Sequence, residues 1–195
     1  MNTYIHVDGP KSEVVVDKPG CSLLADTIIT RRMMLKGIVL GGLSCLVPFS
    51  AGQTSEQLTS GTISLYNIHT DEESTIKYLR GNEFDPEALE EVDYFFRHPT
   101  GGIHPIDPRL VLLLDILQSI LKARDRPFQL LSGYRPPTKK RFSYHHKGMA
   151  ADVRIDDVPL RKLRNTALEL GLGGVGIYPT WVHVDVGPCR KWGKC

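Results

Sequence analysis

The chain is poor in cysteine: it has four in 195 residues, at Cys21, Cys45, Cys189 and Cys195. No Cys-x-x-Cys pair occurs among them, which argues against a structural zinc held by thiolates. Charge of one sign is also lacking. The formal net charge is +2, too small an excess to support nucleic-acid binding. There is no apolar run of the roughly 20 residues that a membrane-spanning helix needs, and no internal repeat. What is present is ordinary for a globular protein: 41% hydrophobic and 24% charged residues, in a length that suits one domain with extensions.

The first 29 residues lack periodicity and read as a flexible leader containing Gly9, Pro10, Pro19 and Gly20. The pair Arg31-Arg32 then precedes a short, glycine-diluted apolar run from Gly37 to Pro48. A twin arginine ahead of such a run has the form of a bacterial export signal. Three glycines would weaken the same run as a core helix. Cleavage near Ser50-Ala51-Gly52 is expected, so residues 1–52 form a leader and 53–61 a polar linker. The mature chain is then near neutral, exported to the periplasm or cell envelope by the twin-arginine machinery, with no stable membrane span. The long stretch before Arg31 would fit an over-extended start. Cys45 raises lipidation, which Gly42 opposes because leucine is expected there. Cys189 and Cys195 could close a small disulfide loop in an exported protein, within a tail expected over 189–195.

The remaining residues, 62–188, read as one α+β domain: a small, mainly antiparallel sheet flanked by helices. Thr62–Ile68 alternates polar and apolar residues, as a half-buried strand does, and Ser74–Leu79 is placed to pair with it. Asp85-Pro86-Glu87 and Asp107-Pro108 each open a helix with a capping acid and a first-turn proline. The second helix carries Leu110, Leu113, Leu114, Leu117 and Ile120, widened by Val111, Leu112, Ile116 and Leu121. So broad an apolar surface implies a central core helix. Phe128–Ser132 and Met149–Ile155 read as strands, Pro159–Leu170 as a helix ended by Gly171, and Gly174–Tyr178 with Trp181–Val186 as a hairpin.

The chemistry concentrates in Ser143-Tyr144-His145-His146-Lys147-Gly148-Met149-Ala150-Ala151-Asp152 and in Trp181-Val182-His183-Val184-Asp185. Two imidazoles and a carboxylate suffice for a catalytic zinc with one position left for water. This donor set favours zinc over magnesium or calcium. A loop followed by a strand can bring a histidine of the first stretch to Asp152, and His183 in the last strand can face the same point. His145 and His146 compete for the first position. Asp185 suits either a general base or a group that orients a histidine. Arg135 has a fork that suits a substrate carboxylate. Tyr134 fits packing beside the site or oxyanion stabilisation. His6, His69, His98 and His104 are assigned to the surface or to satisfied core positions.

Ser-x-His with an aspartate seven residues after the histidine, followed by a distant Trp-Val-His, resembles the D-Ala-D-Ala-type zinc peptidases, relatives of the lysostaphin and hedgehog folds. The murein endopeptidase K branch is the nearer likeness. It is carried by Asn67-Ile68-His69-Thr70, Phe95-Phe96-Arg97, Ser132-Gly133-Tyr134-Arg135, Gly173 to Pro179 and Val182 to Pro188, in order across residues 62–188. The resemblance implies zinc (Zn2+), cleavage of peptidoglycan stem-peptide cross-links and an exported location. It places the ligand roles on His145, Asp152 and His183. Two departures stand out. Only Pro136 to Phe142 separates Ser-Gly-Tyr-Arg from Ser-x-His, where the branch has a longer insert. The positions before His183 hold Thr180 and Trp181 in place of the usual glutamate or histidine. A non-catalytic zinc-containing wall-binding module and a D,D-carboxypeptidase are the alternatives.

Overall fold

The computed structural model describes residues 60–138 and 142–193, together with the backbone of Val14–Val15. The export signal, its cleavage point, Cys21, Cys45 and Cys195 lie outside the described residues. Strand β1 is Val14–Val15, β2 Thr62–Asn67, β3 Glu72–Lys77, β4 Leu79–Arg80 and β5 Glu83–Phe84. Helix α1 is Pro86–Phe95 and α2 Pro108–Ile120. Strand β6 is Phe128–Ser132, and a 3-10 turn spans Tyr144–Lys147 before β7, Ala150–Ile155. Helix α3 is Leu160–Leu170, followed by β8 Gly174–Ile177, β9 Val182–Asp185 and β10 Arg190–Trp192.

Both acid-proline signals act as read. The Asp85 carboxylate accepts from the Glu87 amide at 3.2 Å, and Asp107 accepts from the Arg109 amide at 2.9 Å. Each cap satisfies a first-turn N–H that has no partner within its helix. Leu110, Leu114 and Leu117 of α2 are fully buried, whereas Ile120 at its end is 43% exposed. With Tyr78, Phe96 and Phe128 they fill the core beneath the sheet. Buried Asp115 interrupts this apolar helix. It accepts from the amides of Ser60 and Gly61 at 3.0 Å, from the Tyr78 hydroxyl at 2.7 Å and from Arg124 at 2.7 Å. The end of the expected linker is thereby fastened to the core helix.

The sheet is larger and more mixed than the small, mainly antiparallel one expected. Eight strands run in the order β1-β10-β8-β9-β7-β6-β2-β3. The pairs β2/β6 and β8/β10 are parallel. Helices α1 and α2 lie between β2 and β6 in the chain and supply the long crossover that a parallel pair requires. Strand β10 falls inside the stretch expected as a tail, and β1 inside the stretch expected as an unstructured leader. A three-residue strand such as Arg190-Lys191-Trp192 is too short to show periodicity in sequence. Its partners reveal it: β8 on one side and Val14–Val15 on the other. Among the described residues no helix is long and apolar enough to cross a membrane.

Candidate metal centre and its cleft

Three neighbouring strands assemble the site. In the β7/β9 pairing Asp152 stands directly opposite His183, and in the β6/β7 pairing Ser132 stands opposite Asp152. Directly opposed residues share a sheet face with their side chains in reach. The register shifts between Leu130 and Ser132. Such a bulge re-aims the strand end and delivers Gly133 and Arg135 to the site.

His145 arrives on the 3-10 turn. The Ser143 hydroxyl caps it by accepting from the His145 amide at 3.3 Å. Gly148 ends it in the left-handed region at φ 64°, where a side chain would also collide with the Pro105 carbonyl. The Ser-x-His-x-x-Gly spacing is thus a capped turn with a fixed exit. His145 is buried, while His146, its competitor, is half-exposed and outside the cluster.

The ligand atoms of His145, Asp152 and His183 all lie within 4.8 Å of one another. Tautomers follow from the partners. His145 Nδ1 is 2.6 Å from the Gly133 carbonyl; a carbonyl only accepts, so Nδ1 carries the hydrogen and the Nε2 lone pair faces the cluster. His183 Nε2 donates to Asp185 Oδ2 at 3.1 Å, which turns Nδ1 inward. Nδ1 lies 2.8 Å from Asp152 Oδ1 and 3.2 Å from His145 Nε2. Three electron pairs therefore converge with no hydrogen of their own between them, an arrangement that calls for a cation. The donor set fits a divalent metal of borderline softness.

Proton affinities follow the same geometry. Burial pushes the His145 imidazolium below its ordinary value, by more than Asp152 raises it. Burial also opposes the charged form of His183, but its bonds to Asp152 and Asp185 outweigh this and the value rises. Asp152 lies well below the usual carboxylate range, because the two imidazoles overcome its burial.

The remaining predicted residues surround this triad. Arg135 pairs through Nη2 with Asp152 Oδ2, and its Nε donates to the Ser132 hydroxyl at 2.7 Å. It thus holds the outer oxygen of Asp152 while Oδ1 faces the imidazoles. Asp185 is fully buried behind His183. Its oxygens accept from the amides of Gly174 and Gly187 at 3.2 and 2.8 Å, and from Arg190 at 2.7 and 3.1 Å. Burial would raise its value, but the bond to His183 and the charges of His183 and Arg190 lower it. Tyr134 packs against the core and stacks on His104 at 4.9 Å between ring centroids.

Sequence reasoning missed Gly133 as the carbonyl that fixes His145, Arg190 as the partner of Asp185, and Trp192. The Trp192 ring lies 5.0 Å from that of His183 and occupies the space where Gly176 has no side chain. Its Nε1 donates to the Tyr178 hydroxyl at 3.0 Å. Glycine at 176 was the available signal. A cleft of about 550 Å³ runs from Asp152, Arg135 and Trp181 toward His69, Arg97 and His98. Asp152 is the one carboxylate among the described residues lining it.

A family model described as peptidoglycan L,D-endopeptidase MepK matches residues 55–192. The chain belongs to this family. It is 35% identical over 178 residues to peptidoglycan L,D-endopeptidase MepK of Escherichia coli (strain K12), covering 83% of this chain and 95% of the relative. It is 33% identical over 174 residues to the probable peptidoglycan L,D-endopeptidase MepK of Haemophilus influenzae, covering 82% of this chain and 92% of the relative. No solved structure matches the chain significantly. The MepK family is one of metallopeptidases, so the chain is an enzyme, and His145, Asp152 and His183 form a group that could hold a metal ion.

Proposed function

We propose that the chain is a zinc-dependent endopeptidase that hydrolyses a bond between an L- and a D-configured centre in peptidoglycan stem-peptide cross-links. The observation that carries this is the convergence of His145 Nε2, Asp152 Oδ1 and His183 Nδ1 beside an open cleft. The names of the MepK relatives support the substrate class. Zinc, when bound, supplies Lewis acidity that acidifies water and polarises a carbonyl.

The protein's residues prepare this chemistry. The Gly133 carbonyl and the Asp185 carboxylate take the outer hydrogens of the two imidazoles, fixing both tautomers and ring orientations. Arg135 steadies Asp152 from its outer oxygen. With 43% of its side chain exposed, it also reaches the cleft, where a substrate carboxylate or carbonyl would meet it. Of the two roles open to Asp185, the orienting one suits a carboxylate whose oxygens are taken by five contacts and which has no exposed surface.

Export by the twin-arginine route to the periplasm or envelope is part of the proposal, supported by Arg31-Arg32 and the apolar run after it. Cys189 is disulfide-bonded, which also suits an oxidising compartment.

The test is digestion of purified sacculi followed by muropeptide separation, with and without a chelator. Zinc near one per chain and loss of cross-linked dimers that the chelator abolishes is the expected result. Release of terminal D-alanine without loss of dimers would instead mark a carboxypeptidase. Binding to sacculi without cleavage would mark a wall-binding module.

A further inference from the structure

The cleft ends at two imidazoles that the triad does not use. His69 follows β2 and His98 lies in the segment after α1, and both line the cleft. The strand order β7-β6-β2 puts the end of β2 two strands from Asp152, about 10 Å at a spacing of ~4.8 Å. That span equals roughly three residues of extended peptide. His69, at this distance, would touch the substrate beyond the scissile bond.

The partner of each ring fixes its tautomer. His69 Nε2 lies 2.8 Å from the Leu131 carbonyl, so it donates there and the neutral ring keeps Nδ1 as its acceptor. The His69 amide is anchored on Asn67 Oδ1 at 2.9 Å, and Asn67, only 5% exposed, is itself tied to the Phe95 carbonyl at 3.3 Å. In His98 the arrangement is reversed. The Thr100 amide lies 3.3 Å from Nδ1; an amide only donates, so Nδ1 accepts and the hydrogen sits on Nε2. One ring therefore offers an acceptor and the other a donor. Arg97, which also lines the cleft, gives its Nη2 to both oxygens of Glu72 at 2.8 and 2.9 Å and its Nη1 to the Tyr94 carbonyl at 2.9 Å. A peptide amide carries one donor and one acceptor, so its N–H complements the acceptor of His69 and its C=O the donor of His98.

We infer that His69 and His98 form a subsite that binds a backbone amide of the stem peptide beyond the cleaved bond, His69 lying roughly three residues from it. This rests on the peptidase reading above and names the determinants of its specificity. Two near-isosteric substitutions isolate the lost groups. His69→Gln keeps an N–H for the Leu131 carbonyl and moves the acceptor away from the ring Nδ1 position. His98→Asn keeps an oxygen for the Thr100 amide and moves the donor away from the ring Nε2 position.

On zinc-loaded enzyme with cross-linked muropeptides, each variant raises KM about tenfold, the worth of one net hydrogen bond. kcat stays within about twofold and zinc per chain is unchanged, as expected for binding lost equally from ground and transition states. On a substrate truncated before the subsite, wild type and variants become equal. An unchanged KM on the long substrate, or the same loss on both substrates, overturns the inference. If the wild type cleaves neither substrate, the peptidase reading fails on its own. Calorimetric binding of the long muropeptide then decides the subsite: weaker binding by the variants upholds it, and equal binding overturns it.

Discussion

Behind the metal triad, Asp185 joins two groups that never touch the cleft. It takes the outer hydrogen of His183 and is held by Arg190. Asp185→Asn keeps an oxygen for the amides of Gly174 and Gly187 but loses the charge. Zinc affinity is expected to fall about 10- to 100-fold, measured by competition with a chromophoric chelator. Activity is then expected to return at excess zinc. A base lost from the reaction itself would leave activity low however much zinc is added. The two adjacent histidines give a second residue-level test. His145→Ala is expected to abolish zinc retention, and His146→Ala to leave it intact, as read by metal analysis. The sequence alone left that pair open; the family spacing implied His145, and the capped turn with its Gly133 contact explains why. Arg190 gave no such signal and Trp192 only the indirect one of Gly176, because each acts through a neighbour that pairing brings to it.

At the scale of elements, the helix starts were legible because capping is local: Asp107 accepts from an amide two residues away. Asp107→Ala should destabilise the fold by about 1 kcal/mol in chemical denaturation. Asp107→Asn separates charge from cap. Burial would raise the carboxyl value of Asp107, but the side chain and amide of Arg109 hold it below its ordinary position. A carboxylate depressed in the folded state stabilises above its unfolded value, near 4. That contribution is lost as pH falls through the folded value. Wild type should therefore exceed Asp107→Asn in stability at pH 6, with the gap closing as pH falls below the unfolded carboxylate value and through the folded one. The 3-10 turn is equally local in origin, yet its exit is not. Gly148 reads as an ordinary turn glycine until the Pro105 carbonyl is seen against it. The strand ends were legible to within two residues, but the bulge between Leu130 and Ser132 left no mark in the alternation.

For the molecule as a whole, a metal held by the triad would be coupled to the fold. An ion bound only by the native triad stabilises it by about 2.7 kcal/mol at 100 times its dissociation constant. Chelation is therefore expected to lower Tm by several degrees in calorimetry, and zinc to restore it. Asp115 makes a second global test. Removing the buried carboxylate that joins Ser60, Gly61, Tyr78 and Arg124 leaves the buried Gly61 amide and Tyr78 hydroxyl without this acceptor, so Asp115→Ala should cost about 3 kcal/mol in denaturant unfolding.

What the sequence determined by itself is what short-range physics controls: caps, apolar faces, the turn that presents His145, and residue types fit to hold a metal. What only the tertiary structure decided is which strands lie side by side. The order β6-β7-β9 sets Asp152 against His183 and brings Gly133 and Arg135 to them. The parallel return of β10 beside β8 puts Arg190 and Trp192 behind His183. Pairing between distant strands depends on closure of the whole sheet around one core, and no local pattern encodes it.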